Sequence, residues 1–308
     1  MAANETTVFL HGARYVDSAR PQTLSRAPGY KDAGFQPANS PEGEPLGPTD
    51  SFDFLYTLSG LVVGFLIGLT GVGGGSLMTP ILVLFFGVHP ASAVGTDLLF
   101  AAATKIVGTG IHGWKGTIDW KIVRNLALGS VPASILTLYF ISGVDHGAQS
   151  KMLTLILGIV LVIVAVVLVL RPLIVRLSLN IQRERAPLTP MQRAVATTIL
   201  GLTLGVMVTA SSVGAGAMGV TILLILYPFL KLSDLVGSDI VHAVPLTLIA
   251  GAGYWYLGEV KPLMLAALLV GSIPGVIGGS LLAPRLPDHY LRPALAAVLA
   301  AAGLKMLF

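Results

Sequence analysis

The sequence predicts an all-α polytopic membrane protein made of two tandem homologous helical repeats, with eight to ten hydrophobic helices and short helices that follow glycine breaks. Three observations carry this prediction. Hydrophobic residues make up 54% of the 308-residue chain and charged residues 11%, against about 25% charged in an average soluble domain, and the mean hydropathy is +0.81. From Phe54 onward the chain is a series of apolar stretches near the roughly 20 residues needed to cross hydrocarbon. Finally, one pattern occurs twice, 142 residues apart, and aligns without a gap from Gly71 to Ile135. Its first copy reads Gly71-Val72-Gly73-Gly74-Gly75-Ser76, Val94-Gly95-Thr96-Asp97 and Gly129-Ser130-Val131-Pro132; its second reads Val213-Gly214-Ala215-Gly216-Ala217-Met218, Val236-Gly237-Ser238-Asp239 and Gly271-Ser272-Ile273-Pro274.

Residues 1–52 hold six prolines, mixed charges and no sustained apolar period. Such a segment buries too little apolar surface to offset its ordering entropy and is expected to be a disordered polar tail. It shows no apolar run before a small-residue cleavage site, so it does not read as a secretory signal peptide. The first membrane repeat is expected over 53–170, with helices at about 54–70, 76–87, 91–112, 121–143 and 149–170. A basic linker over 171–190 follows, and the second repeat over 191–308 has helices at about 191–211, 217–229, 233–256, 262–284 and 287–307. The second and seventh helices are too short to span comfortably and start directly after a glycine break, as discontinuous helices of transporters do. The arginines between Arg171 and Arg193, set against a lone Glu184, put the linker in the cytoplasm by the positive-inside rule. If the short helices count as crossings, the repeats are inverted; if they are re-entrant, the repeats are parallel. The sequence leaves both open.

The residues able to carry chemistry follow from this layout. Gly71, Gly73, Gly74 and Gly75 leave backbone N–H groups free at the start of a helix, where the dipole is positive and anions bind. Ser76 and Thr79 add hydroxyls, and Ser212, Gly214 and Gly216 supply the second copy. The alternative for these glycines is close helix packing. Asp97 and Asp239 each lie about two turns into a helix behind a small hydroxyl residue, Thr96 or Ser238. Intramembrane carboxylates are costly and mark function, although acids near a helix start also favour the dipole. Lys105 and His112 are seven residues apart and share one helix face. Lys105 either faces a polar cavity as counter-charge to an anion or snorkels to the interface. His242 bonds Asp239 or packs, and Pro132 and Pro274 kink their helices.

These residues resemble the sulfite exporter TauE/SafE family of membrane transporters. The resemblance lies in the first glycine run with Pro80, in Ala93-Val94-Gly95-Thr96-Asp97, in His112 followed by Gly116-Thr117-Ile118-Asp119-Trp120, and in Gly129-Ser130-Val131-Pro132. In the second half it lies in Ser212 to Gly219, Val236 to Pro245 and Gly271 to Gly275. It covers about residues 54–307 and leaves the tail unaccounted for. The second break departs from it, with Ala215 and Ala217 where a full glycine run would stand, which makes the first loop the stronger anion site.

The resemblance implies a secondary transporter in the cell (inner) membrane that exports sulfite or organosulfonates; the alternatives are an uptake permease or a passive channel for sulfur-containing or carboxylate anions. Expected partners are the anion, the lipid bilayer and a coupling proton or cation, with no cofactor, no metal and no nucleic acid. No phosphate-binding loop of the GxxxxGK[ST] type is present, so energy comes from an ion gradient or from the substrate's own gradient. The chain has no cysteine, which excludes thiolate metal sites and cysteine nucleophiles. The chain is not expected to be an enzyme. The rival reading from another class is an intramembrane protease, with Asp97 and Asp239 sharing a proton or Ser212 and His242 paired. Neither pair stands in a protease motif.

Overall fold

The computed structural model describes residues 54–70, 75–114, 116–184, 188–282 and 288–308. These residues form ten helices and no strand: α1 (Phe54–Thr70), α2 (Gly75–Leu84), α3 (Pro90–Trp114), α4 (Trp120–Ser142), α5 (His146–Glu184), α6 (Pro190–Ser211), α7 (Ala217–Leu226), α8 (Leu232–Tyr256), α9 (Pro262–Leu282) and α10 (Asp288–Leu307). Five of them, α4, α5, α6, α8 and α9, are long and apolar enough to cross a membrane. Their outward faces are apolar as well: Leu128, Ile135 and Leu136 on α4, Ile199 and Leu202 on α6, and Ile273 and Ile277 on α9 are exposed. A water-soluble fold would bury such faces, whereas lipid solvates them. Trp120 at the start of α4 and Trp255 and Tyr256 at the end of α8 are exposed at helix ends, where amphipathic rings suit the headgroup region.

Local signals set several boundaries. Asp119 caps α4, its carboxylate accepting the amides of Lys121 at 2.9 Å and Ile122 at 3.3 Å. Thr189 and Gln192 form a reciprocal capping box at α6, with Pro190 in the first turn, where its missing N–H costs nothing. The segment after α6 needs glycine, because Gly214 and Gly216 have φ of +113° and +105°, a region that side chains make strained. The short helices α2 and α7 have ten residues each, about 15 Å at 1.5 Å per residue, half the hydrocarbon thickness.

The helix expected at about 149–170 runs further than its apolar stretch. α5 continues through Pro172 and Arg176 to Glu184 as a single 39-residue helix. Past the apolar run, Arg, Leu, Gln and Glu are good helix formers, so loss of hydropathy did not end the helix.

Glycines set the helix pairing and its direction. A Cβ on Gly60, Gly64 or Gly68 of α1 would strike the backbone of Leu268, Ser272 and Val276 on α9, and one on Gly271, Gly275 or Gly279 would strike Thr57, Leu61 and Phe65. Both number series rise together, so α1 and α9 run parallel, backbone against backbone. α4 and α6 pair in the same way, with Gly201 and Gly205 on Leu126 and Ser130, and Gly129 on Thr198. Small residues at four-residue spacing allow the close approach that drives helix association in lipid. Conversely, Gly95 of α3 meets Tyr254 of α8 while Gly251 meets Leu99, so α3 and α8 run antiparallel.

The loops agree with these directions. His89, before α3, lies against Glu259, after α8, and a cleft joins residues 142–149 to Leu257 and Glu259. At the opposite end a cleft of about 360 Å³ joins Gly116 to Lys121 with Leu230 and Asp234. Positions 142 residues apart make corresponding contacts: the Lys261 amide donates to Thr96 Oγ1 at 3.4 Å and the Asp119 amide to Ser238 Oγ at 2.8 Å.

Candidate anion-binding site

Both membrane acids dock on a short helix. Asp97 is fully buried seven residues into α3. Its Oδ2 accepts the Thr79 amide of α2 at 3.1 Å and also the Thr79 hydroxyl. Ser212, in the left-handed residue that ends α6, lies beside the same carboxyl without completing a hydrogen bond. Asp239 stands seven residues into α8, 2% exposed, with the Gly216 amide close against it. Its Oδ1 occupies the space where a Cβ on Gly219 would be. Only glycine at 219 therefore lets this carboxylate reach the first turn of α7. Carboxylates placed at helix starts satisfy free amides and complement the dipole.

Lys105 lies between them. It is 9% exposed, so it does not snorkel to an interface as one reading of the sequence allowed. Eight residues of α3 separate it from Asp97, about 12 Å of helix. The antiparallel register of α3 and α8 sets Asp239 about six residues to the other side, roughly 9 Å. Its charge acts on Asp239 first and on Asp97 second, yet among the described residues no carboxylate comes within 4.0 Å of it. The lysine is thus shared between two acids and closed onto neither.

Around this centre the polar residues pair across helices. His242 Nε2 and Ser130 Oγ are 2.8 Å apart, joining α8 to α4. Thr209 Oγ1 donates to Ser134 Oγ at 2.8 Å, and Tyr254 donates its phenolic hydrogen to the Thr209 carbonyl at 3.1 Å. Among the described residues, the buried polar atoms without a partner include Asp97 Oδ1, Asp239 Oδ1, His242 Nδ1 and Ser212 Oγ. Such exceptions are few in folded proteins.

The residues expected from sequence divide clearly. Asp97 and Ser212 stand to one side of Lys105 and Asp239 and Gly216 to the other, and Gly214 holds the turn that presents Ser212. Thr96 and Ser238 do not join them: their hydroxyls take the Lys261 and Asp119 amides, and Ser238 also donates to the Asp234 carbonyl at 2.6 Å. Gly75 opens α2. Gly71, Gly73 and Gly74, and the side chains of Ser76 and His112, lie outside the described residues. Thr79, expected as a hydroxyl donor to an anion, instead bonds Asp97, and the roles of Gly219 and Ser130 emerge only from the structure. Their signals were present, Gly219 after the second break and Ser130 in the Gly-Ser-x-Pro pattern, but neither names its partner. The protease pairings find no geometry. The two carboxylates do not act on one another, and His242 is bound to Ser130 and not to Ser212.

Known proteins share this architecture at the sequence level. The sulfite exporter TauE/SafE profile matches residues 56–306. The probable membrane transporter protein YjnA of Bacillus subtilis is 38% identical over 253 residues, 81% of this chain and 98% of that protein. A second from the same organism, YdhB, is 28% identical over 258 residues, 82% of this chain and all of its own length. A probable membrane transporter protein of Haemophilus influenzae is 29% identical over 176 residues, 54% of this chain and 60% of its own. No solved structure matches the chain. With the profile covering nearly all the described helices, this multi-pass membrane protein belongs to the sulfite exporter TauE/SafE family.

Proposed function

We propose that this membrane transporter moves a small anion, sulfite or an organosulfonate, as a secondary transporter whose outward flux follows the substrate gradient. The observation that carries the proposal is Lys105, a buried lysine in the middle of a membrane helix with no carboxylate within 4.0 Å among the described residues. A cation held in that environment is costly unless a counter-ion visits it. The Ser212 hydroxyl, without a hydrogen-bond partner, supplies a donor, and the amides at the starts of α2 and α7 add positive potential. The matching contacts of positions 142 residues apart and the antiparallel α3–α8 pair support two inverted repeats that rock about this centre.

The test is flux in proteoliposomes over a panel of sulfite, thiosulfate, sulfate, taurine, sulfoacetate and short carboxylates. Saturable flux of sulfite or a sulfonate above that of protein-free liposomes is expected. Equal flux with and without the protein across the panel contradicts the proposal, and ohmic conductance without counter-flow makes the protein a channel.

A further inference from the structure

Resting on that reading, we infer that the anion travels with a proton, and that the buried carboxyl of Asp97 carries it. Around Lys105 stand Asp97, Asp239 and His242; with both acids ionised, the lysine charged and the imidazole neutral, the formal charge is −1 before any substrate arrives. A bound monoanion would take it to −2 inside the membrane, where uncompensated charge is least tolerated. One proton per monoanion keeps the centre at its resting value.

Geometry then selects the acceptor. Each acid has one oxygen, Oδ1, that is buried and unpartnered, and an ionised carboxylate offers acceptors alone, whereas a protonated one gains a donor that an oxyanion can use. The charge of Lys105 acts more strongly on Asp239 than on Asp97, which leaves Asp97 the less compensated of the two. Asp97 also stands beside the unpartnered hydroxyl of Ser212, so its carboxyl and a donor from the second half of the chain share one space. On the faces of α2 and of the α6–α7 segment Asp97 meets Thr79 and Ser212. Among the described residues the ionisable group acting on either acid is Lys105, whose charge also reaches His242. The cycle balances simply: the proton taken up by Asp97 on one side leaves it on the other, in the same direction as the anion, and no bond to the substrate is made or broken.

The full-length protein in liposomes tests this with methanesulfonate and isethionate, permanently ionised sulfonates that carry no proton themselves. Tracer uptake and the fluorescence of a trapped pH dye are read together, with the membrane potential clamped by valinomycin and potassium. The expected result is lumenal acidification of one proton per sulfonate, with the apparent KM falling by up to about tenfold per pH unit of external acidification. In Asp97→Asn the flux drops, and what remains carries less than a tenth of a proton per sulfonate; Asp97→Glu restores coupling. Sulfonate flux without a pH change, or flux that requires sodium instead, overturns the proton inference and leaves the anion reading standing. Coupling retained in Asp97→Asn overturns the assignment to Asp97. Absence of flux of these sulfonates and of sulfite alike in the unmodified protein overturns the anion reading and the inference with it; sulfite flux without sulfonate flux overturns the inference alone if it moves no proton.

Discussion

At the scale of single residues, the proposed anion site rests on one lysine that, among the described residues, neither neighbouring acid touches. Lys105→Ala is therefore expected to lower sulfonate flux at least about tenfold, the loss of one charge-assisted contact, while membrane insertion and detergent-extracted yield stay unchanged; undiminished flux would show that the lysine has no part in transport. Gly219 is the second test. A methyl group there displaces the carboxylate of Asp239, so Gly219→Ala should impair flux several-fold, and an Asp239→Asn change on top should add little if both act through the same contact. These two residues differ in how visible they were. Asp97, Lys105 and Asp239 declare themselves in sequence because a charge inside an apolar stretch is costly and rare. The partners of Thr79 and Ser130 do not, since a hydroxyl in a helix is common and what it bonds, Asp97 or His242, is chosen by packing 18 or 112 residues away.

At the scale of elements, the ten helices follow the apolar stretches closely because the bilayer requirement is a length, and length is written in the sequence. The glycine breaks were legible for the same reason, as short helices behind residues that permit positive φ. The run of α5 to Glu184 was not, because hydropathy reports where lipid ends and not where hydrogen bonding ends. Nor was the pairing of α1 with α9: the glycines at four-residue spacing announce a close contact without naming the partner. That contact is now specific. Gly275→Leu would drive a side chain into the backbone of Leu61 and Phe65. Overpacking of this kind costs about 1–3 kcal/mol, so the variant should unfold at a temperature several degrees lower in detergent, whereas Gly278→Leu, which meets only Phe65 at 3.8 Å, should be nearly neutral. Equal effects at both positions would contradict the packing described.

At the scale of the whole molecule, the antiparallel α3–α8 pair and the loop contacts place residues 85–89, 142–145 and 257–261 on one face and 116–119 and 227–231 on the other. Sequence alone left inverted and parallel repeats open, because a hydropathy profile carries no direction. The second face gathers Lys121, Arg124, Arg193 and Lys231, so it is expected in the cytoplasm. The absence of native cysteine makes this simple to check. Ser142→Cys should react with a membrane-impermeant maleimide in intact cells and Ser233→Cys should not; labelling of both, or the reverse order, would refute the topology. Such a frame, with two short helices ending on either side of a central lysine, has a purpose only if a solute passes through it. Counter-flow measures that directly: proteoliposomes preloaded with unlabelled sulfonate should transiently accumulate labelled sulfonate above its external concentration, and those bearing Lys105→Ala should not. Accumulation equal in protein-free liposomes, or in the Lys105→Ala protein, would contradict the account.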